Sequence, residues 1–258
     1  MNIKQQLANK QLCIGSWVNS ASPIVAELMS SAGFDFLTVD AEHSAVDLAR
    51  TQVLFQAIKS GNPGCVPIVR LAGNIYSETK RYMDAGAVGV IAPFINTAEQ
   101  ARELVRAVKY PPEGMRGVGF CRANGYGARL DEDVAASNSE SFICVQIEHV
   151  RAVENINEIL AVPGIDAVFI GPYDLSASMG ITGQFDHPDY EAATQTVLKA
   201  CQSHAVTPGI HVVQPDVSDV EKRYREGYRF IAYSLDITML LTSCRKGLEE
   251  IQKLKRKE

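Results

Sequence analysis

Ile143-Cys144-Val145-Gln146-Ile147-Glu148, and after it Pro163-Gly164-Ile165-Asp166-Ala167-Val168-Phe169-Ile170-Gly171-Pro172-Tyr173-Asp174, show the unit from which the rest of the chain is built. Each is an apolar run with a carboxylate at or just beyond its end, and a glycine precedes the second run. A strand that is apolar on both faces belongs in a parallel sheet covered by helices. Glycine before it permits the left-handed cap that ends a helix and turns the chain back into a strand. The same transition recurs at Ala32-Gly33-Phe34-Asp35-Phe36, Ala85-Gly86-Ala87-Val88-Gly89 and Glu226-Gly227-Tyr228-Arg229-Phe230.

Extending the count outward places strands near 12–17, 34–40, 65–70, 88–92, 142–148, 165–170, 207–213 and 229–234. Helices fill the gaps near 22–32, 47–59, 74–84, 96–108, 150–160, 188–203, 216–226 and 236–254, with Ser22-Pro23 and Asn96-Thr97 as starts of two of them. Eight strands alternating with helices in 258 residues predict an α/β fold, the (β/α)8 TIM barrel. No linker or composition shift divides residues 1–258, so the reading is a single domain. The stretch Tyr110 to Ser141, rich in glycine and arginine, reads as a long loop serving as a functional lid.

Composition excludes several classes. A net charge of −5 gives no footprint for nucleic acid. The basic cluster Lys253-Leu254-Lys255-Arg256-Lys257 reads as a solvated helix end that complements the helix dipole. The six cysteines form no CxxC pair, and Cys13, Cys65 and Cys144 lie in apolar runs where a thiol acts as a small hydrophobe. With no apolar signal core at the N-terminus and no membrane-length apolar stretch, a reduced cytoplasm is the expected compartment.

Chemistry in such barrels sits at the C-terminal ends of the strands. Successive strands deliver Glu148 and Asp174 side by side there. Two carboxylates without a neighbouring cysteine suit a hard divalent cation, Mg²⁺ or Mn²⁺, with Co²⁺ a further candidate. Two protein ligands leave coordination positions open for substrate. The other strand ends offer Ser16-Trp17, Asp40-Ala41-Glu42-His43, Arg70, Pro93 and Gln146. Arg70 suits a substrate carboxylate or polarised carbonyl oxygen, or else a structural salt bridge to Glu42 or Asp40. His43 is an acid/base candidate whose ring Asp40 could orient, although spacing alone equally allows a hydrogen-bonding residue. Trp17 either covers the ligand or plugs the barrel top. Among the remaining histidines, His211 is the one near a strand top. The turn Gly171-Pro172-Tyr173-Asp174 offers N–H groups to an anion beside the proposed cation. A 2-oxo acid fits this set, with the cation stabilising an enolate. No lysine ends a strand in an apolar setting, which argues against a Schiff base, and no glycine-rich phosphate motif supports a nucleotide.

Gly15-Ser16-Trp17, Asp40-Ala41-Glu42-His43, Val69-Arg70, Asp84-Ala85-Gly86-Ala87, Tyr110-Pro111-Pro112-Glu113-Gly114-Met115-Arg116-Gly117, Gln146-Ile147-Glu148 and Gly171-Pro172-Tyr173-Asp174-Leu175-Ser176 together resemble the HpcH/HpaI aldolase family, in order and over nearly the whole chain. These are metal-dependent pyruvate aldolases acting on 4-hydroxy-2-oxo acids and 2-keto-3-deoxy sugar acids. The resemblance implies cleavage to pyruvate and an aldehyde, and a homo-hexamer of three dimers in which the last helix is exchanged with a neighbour. It implies Glu148 and Asp174 as metal ligands, and His43 as acid/base supported by Asp40 and working through a bound water. Arg70 would hold the pyruvate enolate, Gln146 the oxo acid, and the amides of Gly171 to Asp174 its carboxylate, while Asp84 would enter the adjacent subunit's site. Three features depart from the pattern: Ser44 in place of glycine, Ala232-Tyr233-Ser234-Leu235-Asp236 in place of a glycine-containing turn, and His211 on a generally apolar rim. They lie away from the metal and leave the aldehyde open. Oxaloacetate decarboxylation through the same enolate, and a catalytically silent ligand-binding barrel, are the competing readings.

Overall fold

In the computed structural model, which describes residues 2–255, eight parallel strands close into a barrel in sequence order. They are β1 (Cys13–Val18), β2 (Phe36–Asp40), β3 (Val66–Arg70), β4 (Gly89–Ala92), β5 (Phe142–Ile147), β6 (Ala167–Ile170), β7 (Thr207–Val212) and β8 (Phe230–Leu235). Between and around them run α1 (Ile3–Ala8), α2 (Pro23–Ser31), α3 (Leu48–Gly61), α4 (Tyr76–Asp84), α5 (Ala98–Val108), α6 (Leu130–Glu140), α7 (Val150–Glu154), α8 (Ile156–Leu160), α9 (Pro172–Ser178), α10 (Pro188–His204), α11 (Val217–Glu226) and α12 (Asp236–Lys255). Both expected helix starts are present. Ser22 caps α2, and Thr97 forms a capping box with Gln100 at α5.

Alternation along each strand divides the core into two layers. Trp17, Phe36, Ile68, Ile91, Phe142, Cys144, Phe169 and Phe230 fill the barrel. Val39, Val69, Val90, Val145 and Ile170 face outward onto Leu54, Phe55, Ile58 and Leu104 of the helices. Each fully buried side chain of this size contributes about 1.5–3 kcal/mol. The interior phenylalanines need glycine opposite them. A methyl on Gly209 would stand 2.8 Å from both the Phe230 ring and the Val168 carbonyl. Ile3 and Leu7 of α1 join the interior layer, and Lys4 ties that helix to Asp166 at 3.1 Å.

Two expectations are corrected. The segment 110–141 is not a lid on its own barrel mouth. It joins the end of α5 to the start of β5, at the opposite end of the strands, and its last third is α6. Buried Arg116 pins it there through Asp84 at 2.8 Å, and Ala123 N–H donates to the Asp84 carbonyl at 3.2 Å. The helix expected over 150–160 is broken at Asn155, whose side chain leaves to donate to the Asn96 carbonyl at 2.9 Å. Helix α1 carried too short an apolar pattern to be read. The basic cluster from Lys253 continues into Arg256 and Lys257, which lie outside the described residues.

Candidate active site

Glu148, the residue after β5, reaches the barrel mouth and is 2% exposed. Its Oε1 accepts the main-chain N–H of Phe94 at 2.6 Å, and its Oε2 accepts the Gln146 side-chain amide. Phe94 lies just beyond β4 with a left-handed φ of +52°, which turns that N–H toward the carboxylate at a conformational cost of about 1–2 kcal/mol. Burial pushes Glu148 up to about 7, the Glu42 and Asp174 charges add to this, and the two hydrogen bonds oppose it. Gly171 closes against the same group. A methyl there would stand 2.9 Å from Glu148 Oε2 and 3.2 Å from Gln146 Nε2. Asp174 lies in the first turn of α9. Gly171 N–H is spent on the Ile147 carbonyl at 3.2 Å and Pro172 has none, so the amides of Tyr173 and Asp174 are the ones this turn leaves for an anion.

The second half of the mouth is built on Asp40, the fully buried last residue of β2. It accepts Arg70 Nε at 2.9 Å and Nη2 at 2.6 Å, Asn19 Nδ2 at 2.7 Å, and the main-chain N–H groups of Glu42 and His43. Burial raises its pKa, but the hydrogen bond and charge of Arg70, with the His43 and Asn19 bonds, outweigh that and hold it below the usual range. Asp40 therefore fixes the backbone at His43 and the guanidinium of Arg70, and it does not orient the His43 ring as expected. That ring is 60% exposed, and its Nε2 lies 3.7 Å from Glu42 Oε2. The salt bridge considered for Arg70 exists with both carboxylates, Glu42 Oε2 standing 3.3 Å from Nε. Arg70 still has Nη1 without a hydrogen-bond partner among the described residues, and its guanidinium stacks 4.3 Å over Trp17. Trp17 is 2% exposed and meets Phe169 edge-on at 5.5 Å, so it plugs the barrel top beneath Arg70.

Ser44, one of the departures, sits against Asp40, its hydroxyl donating to the Asp40 carbonyl. Asp84 is held by Arg116 and Lys80 at the C-terminus of α4, at the end of the barrel where strands begin, opposite the end that carries Glu148. Sequence reading undervalued Glu42, seen only as a partner for Arg70. Its Oε2 is buried without a hydrogen bond, and burial first and foremost pushes its pKa up to about 7. It also missed Phe94, whose contribution is a main-chain N–H that no side-chain motif advertises.

Gln146 Oε1, Trp17 Nε1, Thr38 Oγ1 and Asn19 Oδ1 are likewise buried and unpartnered around this mouth. Such groups mark a place that solvent or ligand completes. Among the described residues no three His, Cys, Asp or Glu side chains form a ready cage for a metal. Glu148 and Asp174, with Glu42 adding charge nearby, nonetheless have the chemistry that Mg²⁺ or Mn²⁺ accepts, since such ions commonly take one or two carboxylates and fill their remaining positions with water or substrate. The repulsion that Asp174 and Glu42 exert on the buried Glu148 carboxylate is relieved by a cation.

Carboxylates on successive strand ends beside a fixed arginine are an arrangement many barrels could carry, and comparison with known proteins decides among them. The HpcH/HpaI aldolase/citrate lyase model matches residues 13–243. The chain belongs to that family. It is 38% identical over 242 residues to the hydroxypyruvate/pyruvate aldolase of Roseobacter denitrificans, with 93% of each chain covered. It is 39% identical over 236 residues to the 2-dehydro-3,6-dideoxy-6-sulfogluconate aldolase of Pseudomonas putida, covering 91% of each. The crystal structure of an HpcH/HpaI aldolase/citrate lyase family protein from Burkholderia cenocepacia superimposes with a TM-score of 0.92 at 34% identity, over 97% of this chain and 98% of that one. As a member of the HpcH/HpaI family with full-length aldolase relatives, the protein is an aldehyde-lyase. Among the described residues no helix is long and apolar enough to cross a membrane.

Proposed function

We propose that this lyase cleaves a 4-hydroxy-2-oxo acid, or a 2-keto-3-deoxy sugar acid, reversibly to pyruvate and an aldehyde. The observation that carries this reading is the buried Glu148 carboxylate, fixed by Phe94 N–H and Gln146 and facing Asp174 and Glu42 beside Arg70. Relatives named for pyruvate and for a 2-dehydro sugar acid support it. Glu148 and Asp174 would hold a divalent cation, Mg²⁺ or Mn²⁺, which when bound supplies Lewis acidity toward a ketone oxygen.

The chain's own residues do the rest. The amides of Tyr173 and Asp174 and the Gln146 side chain bind the oxo acid. Arg70, locked by Asp40 and Trp17, points its free Nη1 at the oxygen that gains charge as the C3–C4 bond breaks. Because it is fixed beforehand, no reorganisation is needed at that moment. His43 takes the C4 hydroxyl proton, directly or through a water, and that proton's electron pair forms the aldehyde carbonyl as C3 takes the C–C pair. Returning a proton to C3 completes pyruvate. Asp84 serves the neighbouring subunit's site, and the apolar outer stripe of α12, with Leu240, Leu241, Leu248 and Ile251 about half exposed or more, is covered by a neighbour in a homo-oligomer of three dimers. The cytoplasm is the proposed compartment, supported by six cysteines that are all free thiols.

The test is exchange of pyruvate methyl protons in D2O, followed by NMR with Mn²⁺ or Mg²⁺ and again with EDTA. Wild type should exchange only with the cation, and Glu148→Ala or Asp174→Ala should abolish exchange while the fold survives. Full exchange by metal-free Glu148→Ala protein would reject the assignment.

A further inference from the structure

Two of the three departures from the family pattern, His211 and Ser234, meet in space. His211 faces into the barrel at the top of β7, its outward neighbours Ile210 and Val212 belonging to the outer layer. Its Nε2 lies 3.2 Å from the Ser234 carbonyl, and Ser16 Oγ donates to the same oxygen at 3.1 Å. Ser234 is fully buried with a left-handed φ of +51°, and its hydroxyl is tied to the Val213 carbonyl at 3.0 Å. A carbonyl oxygen accepts only from N–H, so Nε2 carries the proton and Nδ1 keeps its lone pair. The ring packs 5.6 Å from Trp17, the tryptophan that carries Arg70 on its ring, and so stands on the wall of the proposed site. It also lines a cavity of about 460 Å³ together with Pro172, Tyr173, Tyr190, Gln214 and Arg223. Burial, with the nearby Arg70 charge, lowers the ring's pKa to about 4, so it is neutral at physiological pH.

We infer that His211, set in one tautomer by the left-handed Ser234 turn, is a specificity-determining residue whose Nδ1 accepts a hydrogen bond from a hydroxyl on the aldehyde, so that this lyase selects 2-hydroxyaldehydes over their deoxy counterparts. This rests on the pyruvate-aldolase reading above and adds the class of the second substrate. A site that offers a fixed acceptor loses that bond when the partner hydroxyl is missing, whereas an apolar rim has no such preference.

The experiment compares kcat/KM for glycolaldehyde and for acetaldehyde, which differ by that hydroxyl, with pyruvate and Mn²⁺. Methyl-proton exchange of pyruvate alone is measured on the same samples. Wild type should favour glycolaldehyde. His211→Phe, which keeps a ring of similar size but no acceptor, should reduce the preference about tenfold, one hydrogen bond's worth, with exchange unchanged. His211→Gln, which restores an acceptor and is the variant to read if the phenylalanine protein does not fold, should hold most of the preference. An unchanged ratio in His211→Phe with exchange intact, or a wild type indifferent to the hydroxyl, overturns the inference alone. Loss of the preference in a folded His211→Gln also overturns it. Absence of exchange in wild type overturns the pyruvate reading, and this inference with it.

Discussion

Arg70 shows how one side chain joins stability to chemistry. Asp40 is buried and ionised because Arg70 is beside it, so removing the arginine leaves a buried charge without its main partner. Arg70→Ala should therefore destabilise the fold by about 3 kcal/mol or more in urea titrations. It should also lower kcat/KM by roughly 3 kcal/mol of transition-state binding. A change confined to KM would show that Arg70 only binds. His211 makes an opposite demand on pH. Its folded pKa of about 4 lies below the ordinary 6.5, so between those values the unfolded chain holds more protons than the native one. Stability should then fall as pH drops from about 6.5 toward 4, and His211→Phe should flatten that part of a stability-versus-pH curve. An identical slope in both proteins would show the ring is not held neutral.

At the scale of elements, the barrel is a set of strands whose inward faces must share a limited volume. Gly209 gives Phe230 the space it occupies, two residues below His211 on the same strand. Gly209→Ala should cost about 1–3 kcal/mol by overpacking, measured as a shift of the urea midpoint at constant slope. The loop after β4 works in the opposite sense, since a strained Phe94 conformation is retained where its N–H grips Glu148. Segment 110–141 shows why position in the chain outranks composition. Its glycines and arginines suggested a lid, yet a connection from helix to strand emerges at the end of the barrel where strands begin, and Arg116 anchors it there.

For the molecule as a whole, α12 is the element left most exposed. It contacts mainly β1 and β8 and exposes Ile237, Leu240, Leu241, Leu248, Ile251 and Leu254 along one side. An apolar stripe of that length asks for a partner surface. The double change Leu241→Asp and Leu248→Asp should convert an oligomer into smaller species by light scattering after size exclusion. A wild-type protein that runs as a monomer would remove the proposed assembly.

The barrel and its strand order were legible in the chain, because an apolar run that follows a glycine-capped helix has few other places to go. The ends of all eight strands fall within two residues of where the pattern put them. The residue types at the mouth were legible for the same reason, since strand ends converge by topology. What the linear pattern left open was who bonds to whom. It offered Arg70 as either salt bridge or ligand, Trp17 as either cover or plug, and His43 as supported by Asp40. Three-dimensional packing placed Arg70 on Asp40 and Glu42, seated Trp17 beneath it, and gave Asp40 to the His43 backbone instead of its ring. Main-chain donors such as Phe94 N–H, and a tautomer fixed by the Ser234 carbonyl, leave no mark in side-chain identity. They exist only once loops from distant parts of the chain share one desolvated volume, where each polar atom must find a partner or await one.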